Sequence, residues 1–119
     1  MIPPHLLCNF RISLIAGRVK MLTNEQCIEV AEKVWGWDLE SWSDYSDCLT
    51  IGQEVNSWQG FGRTVEAMEE REFSLIKSEA GIEFYNVFKS AEVIIEPPAK
   101  ANDIITATHL AALEALKND

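Results

Sequence analysis

FSLIKSEAGIEFYNVFKSAEVIIE, residues 73–96, is the stretch on which the fold turns. Phe73 and Leu75 alternate with Ser74, and Ile82, Phe84, Asn86 and Phe88 alternate with Glu83, Tyr85 and Val87. A further run, Ala91 to Glu96, ends at Pro97 and Pro98. A period of two puts successive side chains on opposite faces of a pleated strand, so the alternation reads as half-buried β structure. Gly81 falls in the turn Ser78 to Gly81. Three strands joined in this way make an antiparallel meander.

Outside this stretch the apolar period lengthens to that of a helix. Thr23 with Gln26 three positions on forms a capping box, and Cys27, Val30, Ala31 and Val34 follow on one face, with Gly36 as the stop. Glu25, Glu29, Glu32 and Lys33 lie on the other, solvated face. A second helix is read from Phe61, Val65 and Met68, and a third from Ile105, Ala112, Leu113 and Leu116, capped by Asn102 or Asp103. The alanines of the third keep its surface thin enough to pack closely on a sheet. Residues 37–58 mix short apolar residues with serines and aspartates and read as a loop with one short strand at Cys48–Ile51. The expected fold class is therefore α+β, an α/β sandwich with an antiparallel sheet of three to four strands and about three helices.

The 119 residues, 47% hydrophobic and 24% charged, are in proportion for one globular domain. Ten Lys and Arg stand against 19 Asp and Glu, a net charge of −9, which excludes wrapping a phosphate backbone by non-specific attraction. The charge is unevenly placed. Residues 1–20 hold Arg11, Arg18 and Lys20 and no acid, leaving seven bases against 19 acids, a net of −12, for residues 21–119. The basic arm reads either as an upstream start ahead of Met21 or as an added edge strand, because Phe10, Ile12 and Leu14 alternate with Arg11 and Ser13. Cys8, Cys27 and Cys48 are odd in number and lack a C-x-x-C spacing, so reduced thiols in a cytosol are expected, with neither a disulfide framework nor a zinc knuckle. No apolar run approaches the ~18 residues of a membrane span.

An enzyme is not expected, and no cofactor is implied. His5 and His109 are the two imidazoles. His5 sits in the arm, and His109 stands mid-helix as a satisfied core residue with no nucleophile motif beside it. Asp38, Glu40, Asp44 and Asp47 lack the order of a calcium loop and read as a solvated acidic loop, with no metal site. Trp35, Trp37, Trp42 and Trp58 fall within 24 positions of one another. Most are expected in the core, with one or two exposed as stacking platforms or interface anchors. Trp58 draws attention because Gly60, Gly62, Arg63 and Thr64 follow it. There, glycines near a helix start expose backbone amides, and an arginine can fork onto an anion. Tyr85 and Lys89, on the strand face opposite Phe84 and Phe88, extend that candidate ligand site. The competing candidate is a protein-interaction surface made by Asp38, Glu40, Asp44, Asp47 and Glu54, a base-free stretch.

TNEQCIEVAEKVWGW (residues 23–37), SWQGFGRTVEAMEEREF (57–73) and ANDIITATHLAALEAL (101–116) resemble the phage ABA-sandwich domain family of small phage and prophage proteins. The similarity covers residues 22–118 and supplies no site residues. It implies an α/β sandwich and a bacteriophage origin, and hence the cytoplasm of a bacterial host. Two functions follow as expectations. The first is a small non-enzymatic accessory binder, possible as a homo-oligomer, that acts against host defence by sequestering a nucleotide-type ligand. The alternative is an acidic inhibitor or DNA mimic that occupies a host nucleic-acid enzyme. Neither membrane nor direct nucleic-acid binding is expected.

Overall fold

The computed structural model describes residues 8–15, 20–38, 45–78, 81–85, 90–96 and 100–117. Along the chain these form β1 (Cys8–Ile15), α1 (Asn24–Glu29, continued by the π-helical segment Val30–Val34), α2 (Tyr45–Val55), α3 (Trp58–Glu70), β2 (Ser74–Ser78), β3 (Gly81–Tyr85), β4 (Ser90–Glu96) and α4 (Ala101–Leu116). The fold is α+β, a four-stranded sheet in the order β1-β4-β3-β2 packed with four helices.

The meander read from residues 73–96 forms its antiparallel half. β2 pairs with β3 from Ser74↔Tyr85 to Ser78↔Gly81, and β3 with β4 from Gly81↔Ile94 to Tyr85↔Ser90. The expected continuation of the second strand through Phe88 lies outside the described residues. β1 joins the other side of β4 in parallel, with Phe10↔Ala91 through Ile15↔Glu96 in register. The sheet is therefore mixed, where an antiparallel one was expected. The reason is connectivity: a hairpin return makes antiparallel neighbours, but β1 reaches β4 only after the chain has crossed through three helices and the meander.

Alternation sets the layers. Ile82, Phe84, Ala91, Val93 and Ile95 are buried on one face, where α4 lies against β3 and β4 and α3 reaches β2. Ser74, Ile76, Glu83, Tyr85, Glu92 and Ile94 make the other face, on which Ile76 is 46% and Tyr85 39% exposed. The helices thus stack in depth on one side. Asp103 to His109 are all buried, which requires α4 to be covered around its whole circumference, by the sheet on one side and by α1 and α3 on the other. Ala107, Ala111, Ala112 and Ala115 permit that close approach.

The element ends obey local chemistry. Thr23 and Gln26 make the expected capping box, the Thr23 hydroxyl accepting from Gln26 N–H at 3.2 Å and Thr23 N–H donating to Gln26 Oε1 at 3.0 Å. Gly36 closes α1 with φ +77°, the left-handed conformation that a side chain disfavours. α3 closes on a Schellman pattern, Glu72 N–H bonding Glu69 C=O and Phe73 N–H bonding Met68 C=O, with Glu72 at φ 66°. At the start of α4, Asp103 is not the cap but the third helical residue, and its carboxylate accepts the Lys100 N–H at 2.9 Å.

Two local readings are corrected. Cys48–Ile51 is not a strand but part of α2, because Ile51 and Val55, one turn apart, are both fully buried and their burial outweighs the turn preference of the neighbouring polar residues. The helix read from Phe61 begins three residues earlier, at Trp58, so Gly60 and Gly62 lie inside α3. Ser57 caps α3, its hydroxyl accepting Gly60 N–H at 3.1 Å and donating to Glu54 C=O at 2.6 Å, so the helix begins before the glycines.

Candidate functional site: a tryptophan cleft on a buried polar relay

The site is built from the end of α1. Its last turn is π-helical, with Trp35 N–H bonding Val30 C=O at 3.0 Å across five residues and Trp37 N–H bonding Ala31 C=O at 2.9 Å. Such a widened turn changes the direction of the side chains that follow it. Here Trp35 is sent toward α3 and Trp37 packs edge-on against it, with ring centroids 4.9 Å apart. Arg71, just beyond α3, holds this end in place by donating to Val34 C=O at 2.9 Å and Lys33 C=O at 3.0 Å, which satisfies carbonyls the helix end leaves open.

Behind the tryptophans runs a chain of hydrogen bonds through four helices. Trp35 Nε1–H donates to Thr64 Oγ1 at 2.9 Å, Thr64 Oγ1 lies 2.9 Å from His109 Nδ1, and His109 Nε2 lies 2.6 Å from Val55 C=O. A carbonyl only accepts, so the proton sits on Nε2; Nδ1 is then the acceptor, and Thr64 donates to it. Thr64 and His109 are completely buried. Desolvation by burial lowers the His109 pKa to about 4, against a smaller upward push from the Val55 hydrogen bond. Both ring nitrogens are engaged, as expected of a satisfied core histidine.

In front of the relay, Arg63 lies over the tryptophans, its guanidinium carbon 5.4 Å from the Trp37 centroid and 5.8 Å from the Trp35 centroid, within cation–π range. Its Nη2 is 3.6 Å from Glu54 Oε1, and its Nε is buried with no hydrogen-bond partner among the described residues. Trp35, Trp37, Arg63, Glu66, Ala67 and Glu70 line a cleft of about 160 Å³. Residues 63, 66, 67 and 70 share a helix face because they are spaced three and four apart. Both glutamates are exposed, and neither makes an ion pair with a described residue. With Arg63 balanced by Glu54, the cleft carries a negative excess.

The residues expected to form a ligand site are dispersed. Trp58 is 52% exposed at the start of α3 and packs edge-on with Phe61 at 5.2 Å, on a different face of the helix from Arg63. Gly60 packs against the backbone of Glu54 and Val55, and Gly62 is exposed. Thr64 is in the relay and offers nothing to a ligand. Tyr85 lies on the open face of the sheet, away from the helices, and Lys89 lies outside the described residues. Of the acidic candidates, Glu54 meets Arg63 and Asp38 is exposed just after Trp37; Glu40, Asp44 and Trp42 lie outside the described residues, as does the Asp47 side chain. Among the described residues, no three His, Cys, Asp or Glu come together to hold a metal. Their helices include none long and apolar enough to cross a membrane.

Sequence reasoning expected most of the four tryptophans in the core without saying which, singled out Trp58 rather than Trp35 and Trp37, and gave Glu66 and Glu70 no role in a site. The legible signal was the W-G-W ending of α1 together with Arg63, Glu66 and Glu70 on one helical stripe. Comparison with models of protein families, with curated proteins and with solved structures gave no match.

Proposed function

We propose that this chain is a non-enzymatic interaction protein that engages a basic surface on a partner protein. The observation that carries this reading is the acid-flanked tryptophan cleft. Partly exposed tryptophans make strong interface anchors, and carboxylates around them select a cationic partner. The net charge of −12 after residue 20 favours the same partner at long range. The engagement of both His109 nitrogens supports a role in binding rather than proton transfer. The resemblance to phage ABA-sandwich proteins supports a phage accessory protein in a bacterial cytoplasm, directed at host defence; occupation of a nucleic-acid enzyme's basic groove is its most specific form.

Sequestration of a nucleotide is the second reading, favoured by the unpartnered Arg63 Nε beside two indoles. Three features weigh against it. The cleft of about 160 Å³ is well below the ~300 Å³ at which pockets for whole small-molecule ligands begin. Glu54, Glu66 and Glu70 oppose a phosphate. Gly60 N–H is already bonded to Ser57, and Gly62 is interior to the helix.

The deciding experiment is purification of the tagged full chain from bacterial extract at low and high salt, with mass spectrometry of proteins and small molecules, beside a Trp37→Ala variant. A basic protein that elutes with salt and is lost with Trp37→Ala is expected. Retained nucleotide, or capture indifferent to both salt and the substitution, would sink the reading.

A further inference from the structure

We infer that the cleft between Trp35, Trp37 and α3 is an arginine receptor, taking one guanidinium side chain of the partner between the indoles and the carboxylates of Glu66 and Glu70. The inference rests on the protein-binding reading above and specifies its central contact. The molecule already contains the geometry in small. Arg63, from its own chain, lies 5.4 Å from the Trp37 centroid and is balanced by Glu54 at 3.6 Å. One and two turns further along the same helix face, Glu66 and Glu70 repeat the acid side of that arrangement without a described cation to answer them. The cleft is thus built for two guanidinium groups and holds one.

Size and shape agree. A space of about 160 Å³ is small for a nucleoside, but suits a planar head group and the end of its stem. Its walls are aromatic on one side and acidic on the other. That pairing favours arginine over lysine, since a flat, weakly hydrated cation stacks on an indole while its edge donates two parallel hydrogen bonds to carboxylate, and an ammonium offers neither. Arg63 repels the newcomer less than its formal charge suggests because Glu54 is adjacent.

The test is NMR of the ¹⁵N-labelled full chain, following the indole N–H signals during titration with N-acetyl-arginine amide, N-acetyl-lysine amide and N-acetyl-citrulline amide. Citrulline keeps the shape of arginine without the charge. Saturable shifts of the Trp35 and Trp37 indole signals are expected with arginine, weaker ones with lysine and none with citrulline. Glu66→Gln with Glu70→Gln, at exposed positions where the fold is insensitive, should weaken arginine binding by about tenfold, two exposed charge pairs together contributing that factor. No shift, an equal shift with citrulline, or unchanged binding in the double variant overturns the receptor. If it falls while the salt-sensitive partner is still captured, another acidic surface binds the protein and the broader reading stands. If arginine binds selectively but no basic protein is captured, the receptor stands and the broader reading falls.

Discussion

Thr64 accepts from the part-buried Trp35 indole and donates to the buried His109 ring, so replacing its oxygen with a methyl group takes that partner from both. Thr64→Val is therefore expected to destabilise the fold by about 2–4 kcal/mol, the buried imidazole nitrogen contributing about 1–3 kcal/mol and the part-buried indole N–H about 1 kcal/mol. Thr64→Ser keeps the oxygen and should lose less than half as much. Urea unfolding with equal slopes checks both, and an unmoved Val midpoint would mean the relay carries no stability. His109 gives the fold a pH dependence of known sign. Burial lowers its folded pKa to about 4, against 6.5 in the free side chain. Between those values the unfolded chain binds the extra proton, so this contribution is present in full above pH 6.5 and is lost as pH falls toward 4. Stability should drop by about 2 kcal/mol between about pH 7 and about pH 5, above the range where most carboxylates titrate. A flat profile over that interval would contradict the buried neutral imidazole.

The α2–α3 corner shows how two glycines on one helix can have opposite roles. A Cβ at Gly60 would meet Glu54 O, and would stand 2.7 Å from Val55 O and 2.9 Å from Val55 Cα, all rigid backbone. One at Gly62 would meet nothing within 4 Å. Gly60→Ala should consequently destabilise by about 1–3 kcal/mol through forced separation of the helices, despite the better helix former. Gly62→Ala should stabilise by about 1 kcal/mol, because propensity acts there unopposed. Thermal unfolding of the two variants side by side is the measurement, and shifts of the same sign would refute the packing argument. At the other end of α3, Glu72 occupies the left-handed position that glycine prefers, with φ 66°. Glu72→Gly is expected to raise stability by about 1 kcal/mol, visible as a higher unfolding midpoint.

Across the whole molecule, β1 is the element whose placement depends on everything between it and its neighbour. It covers the outer edge of β4, so a chain starting at Met21 would leave that edge unpaired beside the buried Ala91, Val93 and Ile95. Such a truncation should unfold at lower temperature and self-associate, as circular dichroism and light scattering would report; a truncated chain as stable and monomeric as the full one would make β1 dispensable. The charge asymmetry acts at this scale too. The basic residue Arg11 sits opposite Glu92 in the β1–β4 register, while Glu54, Glu66 and Glu70 lie on the helical layer beside the cleft. The proposed attraction of a basic partner to the cleft would thus be a property of the assembled helices, not of the −9 summed over the chain.

The meander, the capping box at Thr23, the stop at Gly36 and the last helix were legible in the residues themselves, because each rests on a period or a cap spanning a few positions. The α2 helix was not legible, since Ile51 and Val55 acquire their helical role only once a core exists to bury them. The same holds for the parallel partner of β1, which lies 81 or 82 residues away in every register pair. The site divides in the same way. Trp58, Arg63 and Tyr85 were visible as residue types, but the cleft depends on a π-helical turn that directs Trp35 toward Thr64 and on an α3 stripe that brings Glu66 and Glu70 opposite the indoles. Local sequence set which segments became strands and helices. Tertiary packing decided which polar atoms were consumed within the core and which were left facing out, because a hydrogen bond between residues 45 or 54 apart exists only after the helices that carry them have met.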